Sequence, residues 1–344
     1  MSPNRADRGR HEERDQLRAI LDRMAGRGVL VVGDIVADEF IYGRVARVSR
    51  EAPVLILEYD ATEIVPGSAG NAANNVAALG GRVLLAGALG RDGEAAALVE
   101  RLHPGVDSTA VLRPGGAFRT PKKTRILAGG VHSAKQQIVR IDRRADAGLD
   151  ASERDRLARR VSTRLGRMDA VIFSDYGGGV VTPSLVRGVV GDLRRRRRTI
   201  PLMLDTRYAL TRYHGMTAAT PNESEVERVL DVRIDDDPRV LERAGRQVLE
   251  RTHMAALLIT RGSKGMALFE PDRPTVHIPI SGSDEVADVT GAGDTVIAAM
   301  TLALAAGATF EQAARLANHA GGLVVMKRGT ATVSRDELAG AIDR

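Results

Sequence analysis

The stretch Asp288-Val289-Thr290-Gly291-Ala292-Gly293-Asp294 puts a carboxylate directly after a glycine-rich turn and directly before an apolar run. The pattern predicts a strand ending over 285–289 and a helix over 295–306. Helix N-termini present N–H groups without intrahelical partners and the positive end of the helix dipole. Glycines let an anion come close to that backbone. Asp294 is therefore placed to take a proton beside an anion cradle. That combination suits transfer of a phosphoryl group to a hydroxyl, where positioning and charge stabilisation do most of the catalysis. The same residues also suit a simple helix cap after a tight turn, and so short a glycine motif does not decide between the two.

Further polar or glycine-rich breaks follow predicted strands. Asp34 and Asp38 come after Val29-Leu30-Val31-Val32, and Gly67, Gly70 and Asn71 precede a helical stretch. Asn222 and Glu225 follow Thr217-Ala218-Ala219-Thr220, and the segment from Thr260 through Gly262 to Gly265 follows Leu257-Leu258-Ile259. Singly, Asp34 can cap a turn and Asn222 a helix. Jointly they fall at the carboxyl ends of strands, where doubly wound sheets gather their ligands. Lys123, Arg125 and Arg140 lie in extended stretches. They are either ordinary exposed strand charge or a grip for a phosphate, which an arginine can bind through two parallel bonds.

The elements that must position these residues are read from periodicity. Helices are expected over 17–24, 71–79, 94–102, 151–167, 183–198 and 238–251, with another from 222. Thr182 and Pro183 are suited to start their helix. Strands are expected over 29–32, 83–88, 170–174, 200–204 and 255–260. This alternation predicts an α/β fold, a doubly wound, mostly parallel sheet flanked by helices. Two extended patches, about 41–60 and 119–142, interrupt it and read as a small β lid over the site. Pro66-Gly67-Ser68-Ala69-Gly70 reads as a chain break, and residues 1–16 as polar and mobile. Arg194 to Arg198 ends a helix, where cations complement the dipole; a solvated helix end is expected there rather than a nucleic-acid patch.

Composition narrows the function classes. The 344 residues hold no cysteine, which excludes disulfides and thiolate metal sites. No apolar run reaches spanning length and the polar start does not resemble a signal peptide, so a cytoplasmic protein without a membrane partner is expected. The net charge of +6 favours anionic ligands. Aromatics make up 3% and tryptophan is missing, so a base-stacking nucleic-acid platform is not expected.

Together these segments resemble the ribokinase-like (PfkB) carbohydrate kinase family. Its two signatures are matched by Pro66-Gly67-Ser68-Ala69-Gly70-Asn71 and by Asp288 to Asp294. Within the family the chain is most similar to the D-glycero-β-D-manno-heptose-7-phosphate kinase branch, the kinase part of ADP-heptose synthesis. That likeness is carried by Ser49-Arg50-Glu51-Ala52-Pro53-Val54, Gln136-Gln137-Ile138-Val139-Arg140-Ile141-Asp142, Ser174-Asp175-Tyr176-Gly177, Thr220-Pro221-Asn222-Glu223-Ser224-Glu225 and Gly329-Thr330-Ala331-Thr332-Val333-Ser334. It covers roughly residues 28–344 as one kinase domain, with 1–27 as a polar N-terminal extension.

The resemblance implies an ATP- and Mg2+-dependent kinase that phosphorylates the heptose 7-phosphate at its anomeric hydroxyl. Asp294 would be the general base, and the amides of Gly291, Ala292 and Gly293 the anion hole. Asn222 and Glu225 would organise magnesium and phosphate, Glu225 through water. Thr260, Gly262 and Gly265 would line the nucleotide site, with Asn318 near the adenine. Asp38, Gly67 and Asn71 would hold sugar hydroxyls, with Asp34 and Asp175 beside them, and Lys123, Arg125 and Arg140 would hold the sugar's phosphate. Asp288 and Thr290 are candidates for a monovalent cation, K+. The partners implied are ATP, a sugar phosphate and a second copy of the chain, joined through the lid.

There are departures from the family's pattern. Ser68 stands where the family has a second glycine, and Gly177-Gly178-Gly179 where heptose kinases carry a lysine. Asp205-Thr206-Arg207 replaces their Asp-Pro-Lys. Another sugar, nucleoside or sugar phosphate is therefore the alternative acceptor. A non-catalytic sugar- or nucleotide-binding regulator is the reading from outside the enzymes. No counterpart of the adenylyltransferase domain fused to some relatives is expected, so the nucleotidyl step would fall to a separate protein.

Overall fold

Val29-Leu30-Val31-Val32 has no polar face, so as a strand it needs cover on both sides. It has that cover: Val29 and Val31 belong to one apolar core, Leu30 and Val32 to another. The computed structural model describes residues 5–116, 118–129, 135–145, 148–235, 237–282 and 288–344. The chain begins with α1 (Arg5–Met24), β1 (Gly28–Gly33), β2 (Ile35–Val48), β3 (Leu55–Ser68), α2 (Ala69–Ala78), β4 (Arg82–Ala86), α3 (Gly93–Glu100) and β5 (Val106–Asp107). It continues through β6 (Lys122–Gly129), β7 (Gln136–Arg143), α4 (Ala151–Leu165), β8 (Ala170–Asp175), α5 (Pro183–Arg195), β9 (Leu202–Thr206), β10 (Ala218–Ala219), α6 (Glu223–Leu230) and α7 (Pro238–Thr252). It ends with β11 (Ala256–Thr260), β12 (Met266–Phe269), β13 (Val276–Ile278), α8 (Ala292–Ala305), α9 (Phe310–Val324) and α10 (Arg335–Asp343).

The main sheet has the order β13-β12-β11-β10-β9-β8-β1-β4-β5. It is parallel from β5 to β11 and antiparallel only where β12 and β13 join. The expected doubly wound α/β fold is thus present. One face packs on apolar residues of α1, α2, α8, α9 and α10, the other on those of α4, α5 and α7. Strand order changes direction at β1, which lies between β4 and β8, and such a switch point opens a crevice at the strands' carboxyl ends.

The lid is a second sheet in the order β3-β2-β6-β7, with β2 and β6 parallel and both outer pairs antiparallel. Its strands differ from the expected patches. β2 starts at Ile35 because Ile35, Ala37 and Phe40 are buried in the body. It then runs outward to exposed Val45 and Val48. Pro66-Gly67-Ser68 does not break the chain but closes β3, and α2 begins at the next residue. Residues 130–134 of the second patch lie outside the described residues.

Two further expectations change. Residues 5–16 belong to helix α1, which Leu17, Ile20, Leu21 and Met24 anchor in the core. The strand expected over 285–289 falls largely outside the described residues, and Asp288 and Val289 are not in a strand. The arginine run has a clear task in part. Arg198 donates to the carbonyls of Leu165, Gly166 and Met168 and so closes the C-terminus of α4, while Arg196 donates to Ser162 O at 3.2 Å.

Candidate active site

Helix α8 is apolar on every side after its first turn, and every residue from Asp294 to Ala303 is buried. A helix of that kind sits in the middle of a protein, so the carboxylate at its start is carried inside with it. Gly291 caps the helix at φ 79°, a conformation that favours glycine, and a side chain there would collide with Asn71 Nδ2. The amides of Gly291 and Gly293 have no backbone partner among the described residues, whereas Ala292 N donates to Val289 O at 3.3 Å. The anion hole expected from three amides therefore has two unengaged and one weakly engaged.

Asp294 is 3% exposed. Its Oδ2 accepts from Asn71 Nδ2 at 2.8 Å and its Oδ1 from Tyr176 Oη at 3.2 Å. Burial drives its pKa up to about 7; Asn71 pulls it down, Asp38 pushes it up, and Lys123 and Tyr176 pull it down. Asn71 was expected at a sugar hydroxyl, but the structure gives its amide to Asp294. A chain of side chains fixes that amide: Asn75 Nδ2 donates to Asn71 Oδ1 at 3.1 Å, and Thr295 Oγ1 donates to Asn75 Oδ1 at 3.0 Å. The amide orientation follows from this network, since a flipped Asn71 would face donors with donors.

Asp38 is buried against Arg125, with Arg125 Nη1 donating to Oδ1 at 2.6 Å. This pairing corrects the expectation that Arg125 grips a substrate phosphate, because a buried guanidinium already matched by a carboxylate has little charge to offer. Gly67 leaves room for the Asp38 carboxylate, which a side chain at 67 would strike. Asp34 and Asp175 also differ from the sugar contacts expected. Asp34 accepts from the amides of Tyr176, Gly178 and Val180, and burial raises its pKa against those bonds. Asp175 accepts from Gly177 N, from Thr206 Oγ1 and, at 2.7 Å, from Tyr213 Oη. Both acids anchor the loop that follows β8.

Two clefts share Arg207, and Tyr176, which lines the first of them, links it to Asp294. One, of about 290 Å3, is lined by Asp34, Lys122, Lys123, Arg140, Asp142, Arg143, Arg144, Tyr176, Arg207 and Tyr208, among others. Lys123 Nζ lies 4.5 Å from the centre of the Tyr176 ring, and burial lowers its pKa. Arg140 is in the same cleft and forms a two-point pair with Asp142 at 2.7 and 2.6 Å. The cleft therefore brings together two of the three cations singled out in the sequence and adds Lys122, Arg143, Arg144 and Arg207.

The other cleft, of about 400 Å3, is lined by Arg207, Asn222, Glu223, Ser224, Glu225, Arg228, Thr260, Arg261 and Gly262. Asn222 and Glu225 form a reciprocal cap on α6: Glu225 N donates to Asn222 Oδ1 and Asn222 N to Glu225 Oε2, both at 2.9 Å. The capping role does not exclude a second one, because burial raises the Glu225 pKa and its Oε1 has no partner among the described residues. Asp205, 8% exposed at the end of β9, has its pKa raised well above the usual range by burial and by the charges of Asp294 and Glu225. Mg2+ keeps most of its waters and takes one or two carboxylates besides phosphates, a demand these acids fit. Among the described residues no group of three or more metal-ligating side chains occurs.

The remaining candidates lie apart. Gly265 follows the short turn Gly262–Lys264, and its carbonyl accepts from Arg261 N. Asn318 on α9 donates to Pro279 O at 2.8 Å. Asp288 accepts from Thr290 N and Gly329 N, so Thr290 meets it through the backbone and both carboxylate oxygens tie the turn before α8 to the 329 loop. Sequence reading missed Tyr176 as a site residue. The signal was present, since Tyr176 directly follows a strand end at the switch point.

Solved structures share this architecture. Ribokinase from Arabidopsis thaliana, complexed with ribose and ATP, superposes with a TM-score of 0.71 at 20% identity, over 93% of this chain and 99% of that one. Phosphofructokinase-2 from Escherichia coli, in complex with potassium, gives 0.71 at 19%, over 93% and 100%. At such identities the likeness shows the fold. The family follows from sequence: residues 29–337 match the pfkB family carbohydrate kinases, and the chain belongs to that family. It is a phosphotransferase with an alcohol group as acceptor. The bifunctional protein HldE of Geobacter metallireducens is 39% identical over 332 residues, 96% of this chain and 66% of that protein. The chain thus spans about two thirds of that relative's length.

Proposed function

We propose that this kinase uses ATP and Mg2+ to phosphorylate D-glycero-β-D-manno-heptose 7-phosphate at its anomeric hydroxyl. The observation that carries the reading is Asp294, buried in the first turn of α8 and hydrogen-bonded to Tyr176, which lines the cation-rich cleft. With a pKa near 7, Asp294 is a base able to accept the hydroxyl proton near neutral pH. Asn71 and Tyr176 fix its two oxygens. The free amides of Gly291 and Gly293 face charge at the start of α8. Lys123, without an ion pair among the described residues, supplies positive charge to an acceptor that already carries a phosphate, Arg140 can turn from Asp142 to assist it, and Asp38 and Gly67 offer partners to its hydroxyls. Glu225 and Asp205 would hold Mg2+, which when bound screens the nucleotide's phosphates. K+ beside Asp288 and Thr290 remains part of the proposal on the strength of the family resemblance.

The relatives named HldE support the heptose reading, as do the motifs that resemble heptose 7-phosphate kinases. Among the described residues no helix is long and apolar enough to cross a membrane, and we place the reaction in the cytoplasm, with its ATP. A coupled ADP-release screen over sugars, nucleosides and sugar phosphates tests the assignment. Turnover should be highest with heptose 7-phosphate. Preference for an unphosphorylated acceptor would refute the role of Lys123 and Arg140.

A further inference from the structure

Arg207 is the one side chain, among the described residues, that lines both clefts. Its backbone is held from two directions: Arg207 N donates to Asp175 O at 3.1 Å, and Arg207 O accepts from Arg228 Nη1 at 3.2 Å. Its guanidinium lies 6.0 Å from the centre of the Tyr176 ring, whose hydroxyl reaches Asp294. Several neighbouring cations are matched by acids, although Lys123, on the same Tyr176 ring but in one cleft only, has no ion pair among the described residues. Lys122 pairs with Glu39 and Glu94, Arg140 with Asp142, Arg143 with Glu94 and Arg261 with Glu223. The guanidinium of Arg207 has no ion pair or hydrogen bond among the described residues, only the aromatic face.

A half-buried cation left unmatched at the junction of two clefts has a ligand as its natural partner. Acceptor phosphate alone would place it in one cleft, and nucleotide alone in the other. We propose that Arg207 is a catalytic residue that contacts the phosphoryl group as it passes from nucleotide to acceptor. The inference rests on the kinase reading above. In the step, the bond from the γ-phosphorus to its bridging oxygen breaks and a bond to the acceptor oxygen forms. The acceptor's proton goes to Asp294, and the electron pair of the broken bond leaves with ADP. Negative charge then lies on the bridging oxygen and the equatorial oxygens, which a planar guanidinium can bind at two points. The Tyr176 ring keeps the guanidinium at the junction.

The test compares wild type, R207A and R207K in two measurements. The first is binding of MgADP with and without aluminium fluoride, which mimics the phosphoryl group in flight and needs no acceptor. The second is turnover of heptose 7-phosphate. R207A should bind MgADP within about threefold of wild type and lose at least about tenfold of the extra affinity that fluoride confers. Its kcat should fall about 10²–10³-fold with KM values changed about threefold or less. Added guanidine should restore part of that kcat, and R207K, which keeps the charge without the fork, should fall between. Retention of the fluoride gain in R207A, a change in KM alone, or loss of MgADP binding itself would each overturn the proposal. A wild type inert on heptose 7-phosphate, with the fluoride gain present and lost in R207A, would refute the substrate reading and leave Arg207 in place.

Discussion

Asp294 must be ionised to accept a proton, and its surroundings push in both directions. Burial favours the neutral acid, while Asn71 and Tyr176 donate to the carboxylate and Lys123 lies within electrostatic reach. Below its pKa of about 7 the base is protonated, so kcat/KM should rise with pH and level off above about 7. The bond from Asn71 stabilises the ionised form, so Asn71→Ala should raise the pKa. The acid limb should then move up by about one pH unit, lowering activity at pH 6 about tenfold and the plateau less. A pH–rate profile checks this. An unmoved limb would mean that Asn71 does not tune the base.

At the scale of elements, one side chain can join two of them. Arg198 lies just beyond α5 and holds three carbonyls at the end of α4. Arg198→Ala should destabilise the protein by about 1–2 kcal/mol, read as a lower urea midpoint with kcat kept. Unchanged stability would make the run solvated throughout. Such long-range tasks were hidden in the sequence. Arginines after a helix predict a favourable helix end, but not which carbonyls they reach. The helices and strands of the alternating part were legible because their apolar periods are strong. The short β10, of two residues, the edge strand β13 and its neighbour β12 carry too little pattern to stand out. The packed second half of α1 was legible as a helix over 17–24, while its polar first half carries no apolar period and reads as mobile. The motifs named candidate residues, but pairwise partners did not follow from them: Arg125 is taken by Asp38, and Asn71 by Asp294.

The whole molecule combines a rigid sheet with a lid that leaves apolar side chains in water. Val45, Leu55, Tyr59, Ile138, Val139 and Ile141 are exposed on the lid strands. Exposed apolar groups gathered on one element mark an interaction surface, in keeping with the homodimer that the family resemblance implies through the lid. Light scattering should give twice the chain mass for wild type. Ile141→Arg should shift it toward one chain mass, because a charge in such a contact is costly to bury. A wild type of single chain mass at working concentrations would rule out this assembly. The ion pairs of Lys122 and Arg143 with Glu94 tie lid strands β6 and β7 to α3 in the body, and both cations also line the first cleft.

The account stands on the carboxylate of Asp294 as the proton acceptor. The most direct measurement is the turnover of Asp294→Asn with ATP and heptose 7-phosphate, with MgADP binding and the melting temperature taken on the same sample. Turnover should fall about 10²–10⁴-fold while nucleotide binding and folding persist. Turnover close to that of wild type would contradict the mechanism.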